Sequence, residues 1–281
     1  MVLVKNISFS YGKSSLFRNL SLQIQQGNIY GLLGMNGAGK TTLLRLIAGQ
    51  LFRHAGTMET HGFDPKMRDP RMLANIYYLP EESVLPNISA SNYVKIYAPF
   101  YPKFSMEAYR TYGSQFDLPH DKPLNQLSYG EKKKFLLCFG LASGTSLLLL
   151  DEPTNGLDIP SKSQFRRIIA SAMDDQRSFI ISTHQVRDMD NLIDPVIILH
   201  GGTVIFHHSL DEVSRSISVS FSRRIPEQAE YLYAEQVPGG FSVISKRMPQ
   251  DNETSIDLET LFNTAVSAPQ KLREVLGGAT S

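Results

Sequence analysis

The sequence is short of features that would narrow its class at once. It contains one cysteine, Cys138, so the chain can form neither an internal disulfide nor a cysteine-based metal site. Because Cys138 lies in the apolar run FLLCFGLA, we expect its thiol to be buried and unreactive. Lysine and arginine total 28 and aspartate and glutamate total 27, for a net charge of +1. Because positive and negative charges are nearly equal in number, the chain has no general attraction for nucleic acid, and we expect no nucleic-acid partner.

Long apolar runs are also missing. No stretch approaches the roughly 20 apolar residues that a membrane-spanning helix needs. The N-terminal sequence MVLVKNISFSYGK lacks the pattern of a signal peptide. We therefore expect a protein of the cytoplasm, and if it works at a membrane, a different chain must cross that membrane.

In other respects the chain has the composition of an ordinary globular protein. Its 281 residues are 42% hydrophobic and 20% charged, which suits one large α/β domain with a small appendage. Alternating polar and apolar residues over 2–29 predict antiparallel strands with a tight turn near Gly12. Farther on, short apolar strands such as SLLLLDEP alternate with amphipathic helices. This rhythm predicts a mainly parallel sheet covered by helices.

Three other segments add to this outline. Residues 87–126 are rich in proline and aromatic side chains and predict a small helical insert without strands. The segment QVRDMDNLI predicts a helix, and VIILHGGTVIFHH predicts a closing hairpin. After residue 214 the composition shifts again, which predicts a small α+β appendage over 215–281 with a helix at IDLETLFNTAV and a frayed end at GGATS.

A glycine-rich loop follows the apolar strand NIYGLLG. It fits the phosphate-loop pattern G-x-x-x-x-G-K-[ST], with a strand before it and a helix after it. Glycines let backbone N–H groups approach phosphate oxygens, and the helix N-terminus favours the same anions. Lys40 is expected to reach the β- and γ-phosphates and the Thr41 hydroxyl to bind Mg²⁺; the alternative is a glycine-rich turn without a ligand. The loop residues expected to bind ATP are Gly34, Met35, Asn36, Gly37, Ala38, Gly39, Lys40, Thr41 and Thr42.

Two acids and a histidine end the apolar strands that come later. Asp151 and Glu152 are expected at the carboxyl edge of the sheet, where open α/β sheets bind ligands. Asp151 can hold Mg²⁺, which leaves Glu152 free to act as general base toward the attacking water. His184 can bond the γ-phosphate or orient that water. The alternative for each is structural: solvated acids at the start of a loop, and a histidine that only supports the fold.

The segment LSYGE at 127–131 leads into the acidic strand end. Ser128 and Glu131 have the spacing of a capping box, and a helix start of this kind is also a good anion site. The segment resembles the LSGGQ signature of ABC (ATP-binding cassette) ATPases. Asn155-Gly-Leu-Asp158, within EPTNGLD, resembles the D-loop of that family. Tyr11 matches the aromatic residue that stacks on adenine, although a surface tyrosine on a strand is the alternative.

The motifs follow one another in the order of the ABC family, and the resemblance covers residues 2–214. It implies an α/β fold of the P-loop NTPase type with a mainly parallel core, an N-terminal antiparallel β subdomain and a helical subdomain at about 87–145. The ABC ATPase domain is thus expected over 1–214. The resemblance further implies ATP and Mg²⁺ as ligands and ATP hydrolysis as the activity, with His184 as the switch histidine.

The same resemblance implies a partner. Two ABC subunits, identical or different, would form a head-to-tail dimer in which each ATP lies between the phosphate loop of one chain and the signature of the other. Ser128 and Gly130 would then touch the ATP held by the partner chain, as part of a signature that also contains Tyr129 and Glu131.

The chain departs from the family pattern at two places. Glu81 stands where the family usually has a glutamine. A carboxylate there could still ligate Mg²⁺ or orient water, but it adds negative charge beside Asp151. Lys132, Lys133 and Lys134 put three cations in the first turn of the signature helix, against its dipole. These lysines form either a solvated face or an added attraction for the partner's ATP.

YAPFYPKFS and IDLETLF resemble segments of the ATP-binding subunits of ABC-2 type exporters. This resemblance implies an integral membrane permease as partner and a peripheral location on the cytoplasmic face of the membrane. The alternatives are a soluble ABC ATPase such as the iron–sulfur assembly type, a DNA-repair or translation ABC protein, and a regulatory module that holds ATP without turnover. The residues do not identify a transported substrate.

Overall fold

The computed structural model describes residues 1–119, 122–225, 227, 231–249, 251, 254 and 256–277. The strands are β1 Val2–Tyr11, β2 Ser14–Ile24, β3 Ile29–Leu33, β4 Ala55–Thr60, β5 Ile76–Leu79, β6 Leu147–Asp151, β7 Ser178–Thr183, β8 Val196–His200, β9 Thr203–His208, β10 Ile217–Ser222, β11 Tyr233–Val237 and β12 Gly240–Lys246. The α-helices are α1 Lys40–Ile47, α2 Pro70–Leu73, α3 Ala90–Tyr97, α4 Met106–Gln115, α5 Tyr129–Ala142, α6 Ile159–Ser171, α7 Leu210–Ser216, α8 Leu258–Ser267 and α9 Pro269–Leu276. Short 3₁₀ turns cover Pro65–Met67, Ala98–Phe100, Leu124–Gln126 and Val186–Met189.

The N-terminal strands form a separate antiparallel sheet in the order β2-β1-β4. The predicted β1–β2 pairing is confirmed, and Gly12 adopts a φ of +57° at the turn between the two strands. The sequence did not indicate β4. Only two of the six residues of AGTMET are buried, so this strand carries too little apolar alternation to be recognised.

The central sheet has the order β5-β6-β7-β3-β8-β9. The first five strands in this order pair in parallel with their neighbours. Strand β9 pairs antiparallel with β8, as the hairpin prediction required. Strand β6 lies between β5 and β7 and is buried along its whole length. A strand covered on both faces needs apolar side chains on both, which explains the unbroken leucine run.

Each face of the central sheet has its own hydrophobic layer. One layer joins the sheet to α1 and to the N-terminal sheet and includes Phe17, Leu44 and Leu149. The opposite layer joins the sheet to α5 and α6, through Phe139 and Phe165 among others. This arrangement leaves the carboxyl ends of the parallel strands free to carry a site. Within α5 the predicted buried thiol of Cys138 is confirmed, and burial raises its pKa well above the usual range.

The described residues of 87–126 contain helices and no strand, as predicted. Ser89 caps α3 and Ser105 caps α4 through side-chain hydrogen bonds to backbone N–H groups. The insert packs on α5 through aromatic side chains. The ring of Tyr93 lies 5.1 Å from that of Phe135 in an edge-on contact.

The predicted helix at QVRDMDNLI is wrong. The structure has only the 3₁₀ turn Val186–Met189 there. The Asp188 carboxylate lies 2.7 Å from Lys162 Nζ and accepts a hydrogen bond from the Thr154 hydroxyl. These contacts tie the turn to α6 and to the segment after β6, and this tertiary anchoring competes with a regular helix.

The C-terminal residues build a third, antiparallel sheet in the order β10-β12-β11, accompanied by α8 and α9. Leu258 and Leu261 of α8 are buried in the same layer as the helical face of the central sheet. The division of the chain at residue 214 falls within α7 and stays a prediction, and residues 278–281 of the expected frayed end lie outside the described part. No helix in the described ranges combines the length and the apolar character needed to cross a bilayer.

Candidate active site

The glycine-rich loop joins β3 to α1 at the carboxyl edge of the central sheet. Gly39 is the N-cap of α1 with a φ of +105°, and Gly37 has a φ of +81°. At Gly34 a Cβ atom would lie 2.8 Å from the carbonyl oxygen of Leu199, so a side chain is excluded there. The first N–H groups of a helix have no partner within the helix. The loop and α1 therefore offer an anion cradle, as predicted.

This cradle is one wall of a cleft of about 660 Å³. The opposite wall comes from the ends of β6 and β7 and from the loop after β5. The lining residues are Tyr11, Leu16, Met35, Asn36, Gly37, Ala38, Gly39, Lys40, Thr41, Thr42, Glu81, Glu152, Asn155 and His184. Segments far apart in the sequence thus meet at one edge of the sheet.

Lys40 and Glu152 face each other across the floor of the cleft. Lys40 Nζ donates a hydrogen bond to the carbonyl oxygen of Gly34 at 2.7 Å and lies 3.5 Å from Glu152 Oε1. Both side chains are 7% exposed, so their charges are screened little by solvent. The expected meeting of the phosphate loop with the acid pair is confirmed.

Asp151 is fully buried below the cleft. The Ser182 hydroxyl donates to its Oδ1 at 2.5 Å, and the Tyr78 hydroxyl donates to its Oδ2 at 3.3 Å. Arg45 Nε in turn donates to the Tyr78 hydroxyl at 3.4 Å, a contact that raises the pKa of Arg45. Burial raises the pKa of Tyr78 to about 12, so this phenol stays protonated and keeps donating. Asp151 is thus held in one orientation by two donors from neighbouring strands.

Glu152 has an unusual backbone for a residue with a side chain, with a φ of +46°. Its N–H donates to both the carbonyl and the hydroxyl oxygen of Ser182, each at 3.1 Å. His184 Nδ1 lies 2.8 Å from Glu152 Oε1. The His184 N–H also donates to Glu152 Oε2 at 3.4 Å, so both oxygens of the carboxylate contact His184.

Glu81 enters the cleft from the loop after β5. Its Oε1 accepts a hydrogen bond from Asn155 Nδ2 at 2.9 Å, and its carbonyl oxygen accepts one from the Tyr129 hydroxyl at 2.8 Å. Glu81 therefore lines this cleft and also contacts the signature segment of its own chain.

Lys133 is 3% exposed, which contradicts a solvated face at this position. Its ammonium donates to the Glu152 carbonyl at 2.5 Å, to the Tyr129 hydroxyl at 3.2 Å and to the Asn155 carbonyl at 3.4 Å. Burial lowers the pKa of Lys133 to about 8, against the attraction of the nearby carboxylates, among which Glu81 acts most strongly.

The signature residues 128–131 and Asp158 of the D-loop are not among the residues that line this cleft, whereas Asn155 of the D-loop is. Ser128 and Glu131 form the predicted capping box at the start of α5, and the Ser128 N–H lowers the pKa of the Glu131 carboxyl. Asp158 caps α6 by accepting from the Ser161 N–H, and hydrogen bonds from Ser161 lower the Asp158 pKa. Gly130 lies close to the turn that contains Gly156. The capping interpretation is therefore confirmed, and a role toward a partner's ATP stays a prediction.

Tyr11 stands at the mouth of the cleft. Its ring is 52% exposed and packs edge-on against Phe9 at 4.9 Å. Its hydroxyl lies within hydrogen-bond distance, 3.2 Å, of the Thr42 hydroxyl. The ring is therefore fixed next to the loop while much of it stays open to a ligand.

The donor set at this edge fits Mg²⁺ in its chemistry. Thr41, Asp151 and Glu81 offer hydroxyl and carboxylate oxygens, the ligands that this hard cation prefers. Among the described residues, no cluster of three or more His, Cys, Asp or Glu side chains could hold a metal alone. Mg²⁺ in nucleotide sites commonly takes one or two carboxylates and completes its shell with phosphate oxygens and water.

Several groups at the site were not found from the sequence. Ser182 holds both acids, and its only signal is a polar residue at the end of the apolar run SFIIST. Tyr78 and Arg45 come from separate elements, so only the fold brings them to Asp151. Lys133 lies one helical turn after Tyr129, a spacing that places both on the same face of α5.

A phosphate loop that faces an acid pair on a parallel sheet defines a P-loop nucleotide hydrolase. The family profile described as ABC transporter matches residues 17–155. The chain is 28% identical over 283 residues to the ABC transporter ATP-binding protein YtrB of Bacillus subtilis, covering 93% of this chain and 97% of YtrB. It is 30% identical over 211 residues to the SkfA peptide export ATP-binding protein SkfE of the same species, covering 73% of this chain and 87% of SkfE.

Two solved structures share the fold. One is the ATP-binding subunit of an ABC transporter, with a TM-score of 0.70 and 23% identity over 76% of this chain and 92% of the other. The second is the dimeric post-hydrolysis state of the cassette MJ0796 bound to ADP and Pi, with a TM-score of 0.66 and 20% identity over 75% and 99% of the two chains. The chain belongs to the ATP-binding proteins of ABC transporters and is an ATPase of this family.

Proposed function

We propose that the cleft hydrolyses ATP with Glu152 as general base and Lys40 as the anchor for the β- and γ-phosphates. The observation that carries this assignment is the 3.5 Å approach of Lys40 Nζ to Glu152 Oε1. A γ-phosphate that lies on the loop would be within reach of both the Lys40 ammonium and the Glu152 carboxylate. The contact of Lys40 with the Gly34 carbonyl keeps the ammonium extended over the loop, ready for phosphate oxygens.

In the proposed reaction a water molecule lies between Glu152 and the γ-phosphorus. As the new O–P bond forms, the bond from the γ-phosphorus to the bridging oxygen of ADP breaks, and the proton of the water passes to the Glu152 carboxylate. His184 contacts both oxygens of the Glu152 carboxylate, Oε1 through Nδ1 at 2.8 Å and Oε2 through its backbone N–H at 3.4 Å, which would hold the base in one orientation toward the water. Positioning of this kind, with charge stabilisation, accounts for most of the rate in phosphoryl transfer.

Thr41, Asp151 and Glu81 would hold Mg²⁺, which neutralises charge on the phosphate oxygens when it is bound. The hydrogen bonds from Ser182 and Tyr78 fix the direction of the Asp151 carboxylate for this purpose. The exposed ring of Tyr11 would stack on adenine at the mouth of the cleft.

The signature would act on a second subunit. Ser128, Tyr129, Gly130 and Glu131, together with Asp158 of the D-loop, would face the ATP on the partner's phosphate loop. Support comes from their position outside the chain's own cleft and from the start of α5, a helix terminus that suits an anion. The solved cassette dimer of MJ0796 shares the fold. A partner could be an identical chain or a different ABC subunit.

The chain would power transport through a separate membrane permease, on the cytoplasmic face of the membrane, and the direction would be export. The support is the similarity to the SkfA peptide export ATP-binding protein SkfE, together with the helical insert that would grip the permease. The membrane chain would select the substrate.

The test is Glu152→Gln in the full chain. It removes the base but keeps the size and one hydrogen-bonding oxygen of the side chain. We expect phosphate release to fall by at least about a hundredfold, the typical contribution of a general base. ATP binding should survive, and dimers should accumulate with MgATP. Glu107→Gln, on the exposed face of α4, is the matched control and should keep wild-type turnover. Unchanged turnover in Glu152→Gln would remove Glu152 from its role.

A further inference from the structure

Of the three signature-helix lysines, Lys133 alone is buried, and its ammonium donates three hydrogen bonds, to oxygens of Tyr129, Glu152 and Asn155. None of these oxygens is a carboxylate. A buried ammonium without a direct counter-ion is costly unless hydrogen bonds satisfy it. The shortest of the three bonds goes to the backbone carbonyl of Glu152.

That carbonyl belongs to a residue whose backbone conformation is unfavourable for a side chain. Non-glycine residues at positive φ persist where surrounding contacts hold them. The Glu152 N–H is fixed by Ser182 and its carbonyl by Lys133, so both ends of the residue are tied. Together these contacts set the direction in which the Glu152 carboxylate leaves the backbone.

Lys133 also closes a ring of hydrogen bonds across three elements. Its ammonium donates to the Tyr129 hydroxyl, which donates to the Glu81 carbonyl. Asn155 Nδ2 donates to the Glu81 carboxylate, and the Asn155 carbonyl accepts from Lys133. The ring joins the first turn of α5 to the loop after β5 and to the turn after β6. A movement of the signature helix could therefore change the position of Glu152 through these hydrogen bonds, without involving the nucleotide.

We propose that Lys133 is a positioning residue for ATP hydrolysis. It holds the Glu152 carbonyl and, through Tyr129, couples the position of the signature helix to the orientation of the Glu152 carboxylate. This inference rests on the assignment of Glu152 as the base. Lys133 does not touch the reacting atoms, and its effect should appear in the rate of the chemical step and little in the binding of ATP.

The experiment measures kcat and KM for ATP hydrolysis by the full chain with Lys133→Met, which keeps the length of the side chain but removes the donors. We expect kcat to fall about a hundredfold, as misplacement of a catalytic group by about 1 Å can do, with little change in KM. Lys133→Gln restores an uncharged donor and should recover part of kcat. Lys95→Met makes the same change at an exposed helical lysine on α3 and should leave kcat unchanged.

A purely structural role is separated by binding. In a Glu152→Gln background, Lys133→Met should bind ATP as tightly as Glu152→Gln alone. Equal loss of binding and turnover, or wild-type kcat in Lys133→Met, would overturn the inference. If Lys133→Met does not fold, Tyr129→Phe removes only one hydroxyl of the ring and should still lower kcat, and its failure to do so would count against the coupling. If Glu152→Gln keeps its ATP turnover, the assignment of Glu152 as the base fails. If Glu152→Gln loses turnover but Lys133→Met does not, only the positioning role is refuted.

Discussion

The sharpest stability prediction concerns Gly39, the last glycine of the phosphate loop. In Gly39→Ala the new Cβ atom would lie 2.6 and 2.7 Å from two atoms of the Phe17 ring. Phe17 is fully buried in the layer between the central and N-terminal sheets, so its ring cannot move aside. The backbone at Gly39 also has a φ of +105°, which residues with a Cβ rarely adopt.

Two costs follow from this geometry. Holding alanine at such a φ costs about 1–3 kcal/mol. Forcing an extra methyl group into a packed layer costs about 1–3 kcal/mol more. We therefore expect the free energy of unfolding of the ATP-free chain to fall by about 4 kcal/mol, the middle of the combined range.

Urea unfolding of the ATP-free chain measures this loss, and Gly37→Ala is the matched control. Gly37 has a positive φ of +81° but nothing within 4 Å of its Cβ position, so only the backbone cost applies. Combining Gly39→Ala with Phe17→Leu should show a favourable coupling of about 1–3 kcal/mol, because the smaller side chain relieves the clash. Equal stability of Gly39→Ala and Gly37→Ala would refute the role given to Phe17.

Two further predictions concern buried polar groups. Ser182→Ala removes the hydroxyl that donates to the Asp151 carboxylate. The free energy of unfolding, measured in urea, should fall by about 1.5–3 kcal/mol, and a loss below about 0.5 kcal/mol, the surface range, would contradict the contact. His61 has its pKa lowered, chiefly by burial, so below its unfolded pKa of about 6.5 the unfolded chain takes up a proton that the folded chain resists. The free energy of unfolding should therefore drop as the pH falls through that value, by at most about 1.4 kcal/mol per pH unit from this group. The variant His61→Gln should reduce the slope of the unfolding free energy against pH. An unchanged slope would rule out His61 as the cause.

Local sequence patterns decided the elements whose signals lie within a few residues. The phosphate loop, the capping box at Ser128 and the hairpin at Gly201 each depend on local turn and cap chemistry. The leucine run of β6 indicated a strand covered on both faces, which the structure confirms. The parallel sheet followed from the alternation of such strands with helices.

The sequence did not predict the secondary structure correctly where the hydrophobic pattern was weak or where tertiary contacts competed with local preference. Strand β4 has too few apolar residues to be seen, and it forms because β1 offers a free edge. The segment after His184 has helical character, but the contacts of Asp188 with Lys162 and Thr154 hold it as a short turn. Tertiary contacts thus overrode local propensity.

The sequence alone determined which chemical groups we propose this protein brings to ATP, because glycine, lysine and acidic residues at fixed spacings have few other uses in such a context. Only the tertiary structure decided what holds those groups in place. Ser182, Tyr78 and Lys133 lie on three elements far apart in the chain, and nothing in their own neighbourhoods marks them as partners of the acids. A hydrogen bond depends on distance and angle between atoms, and for residues so far apart in sequence the fold alone sets both.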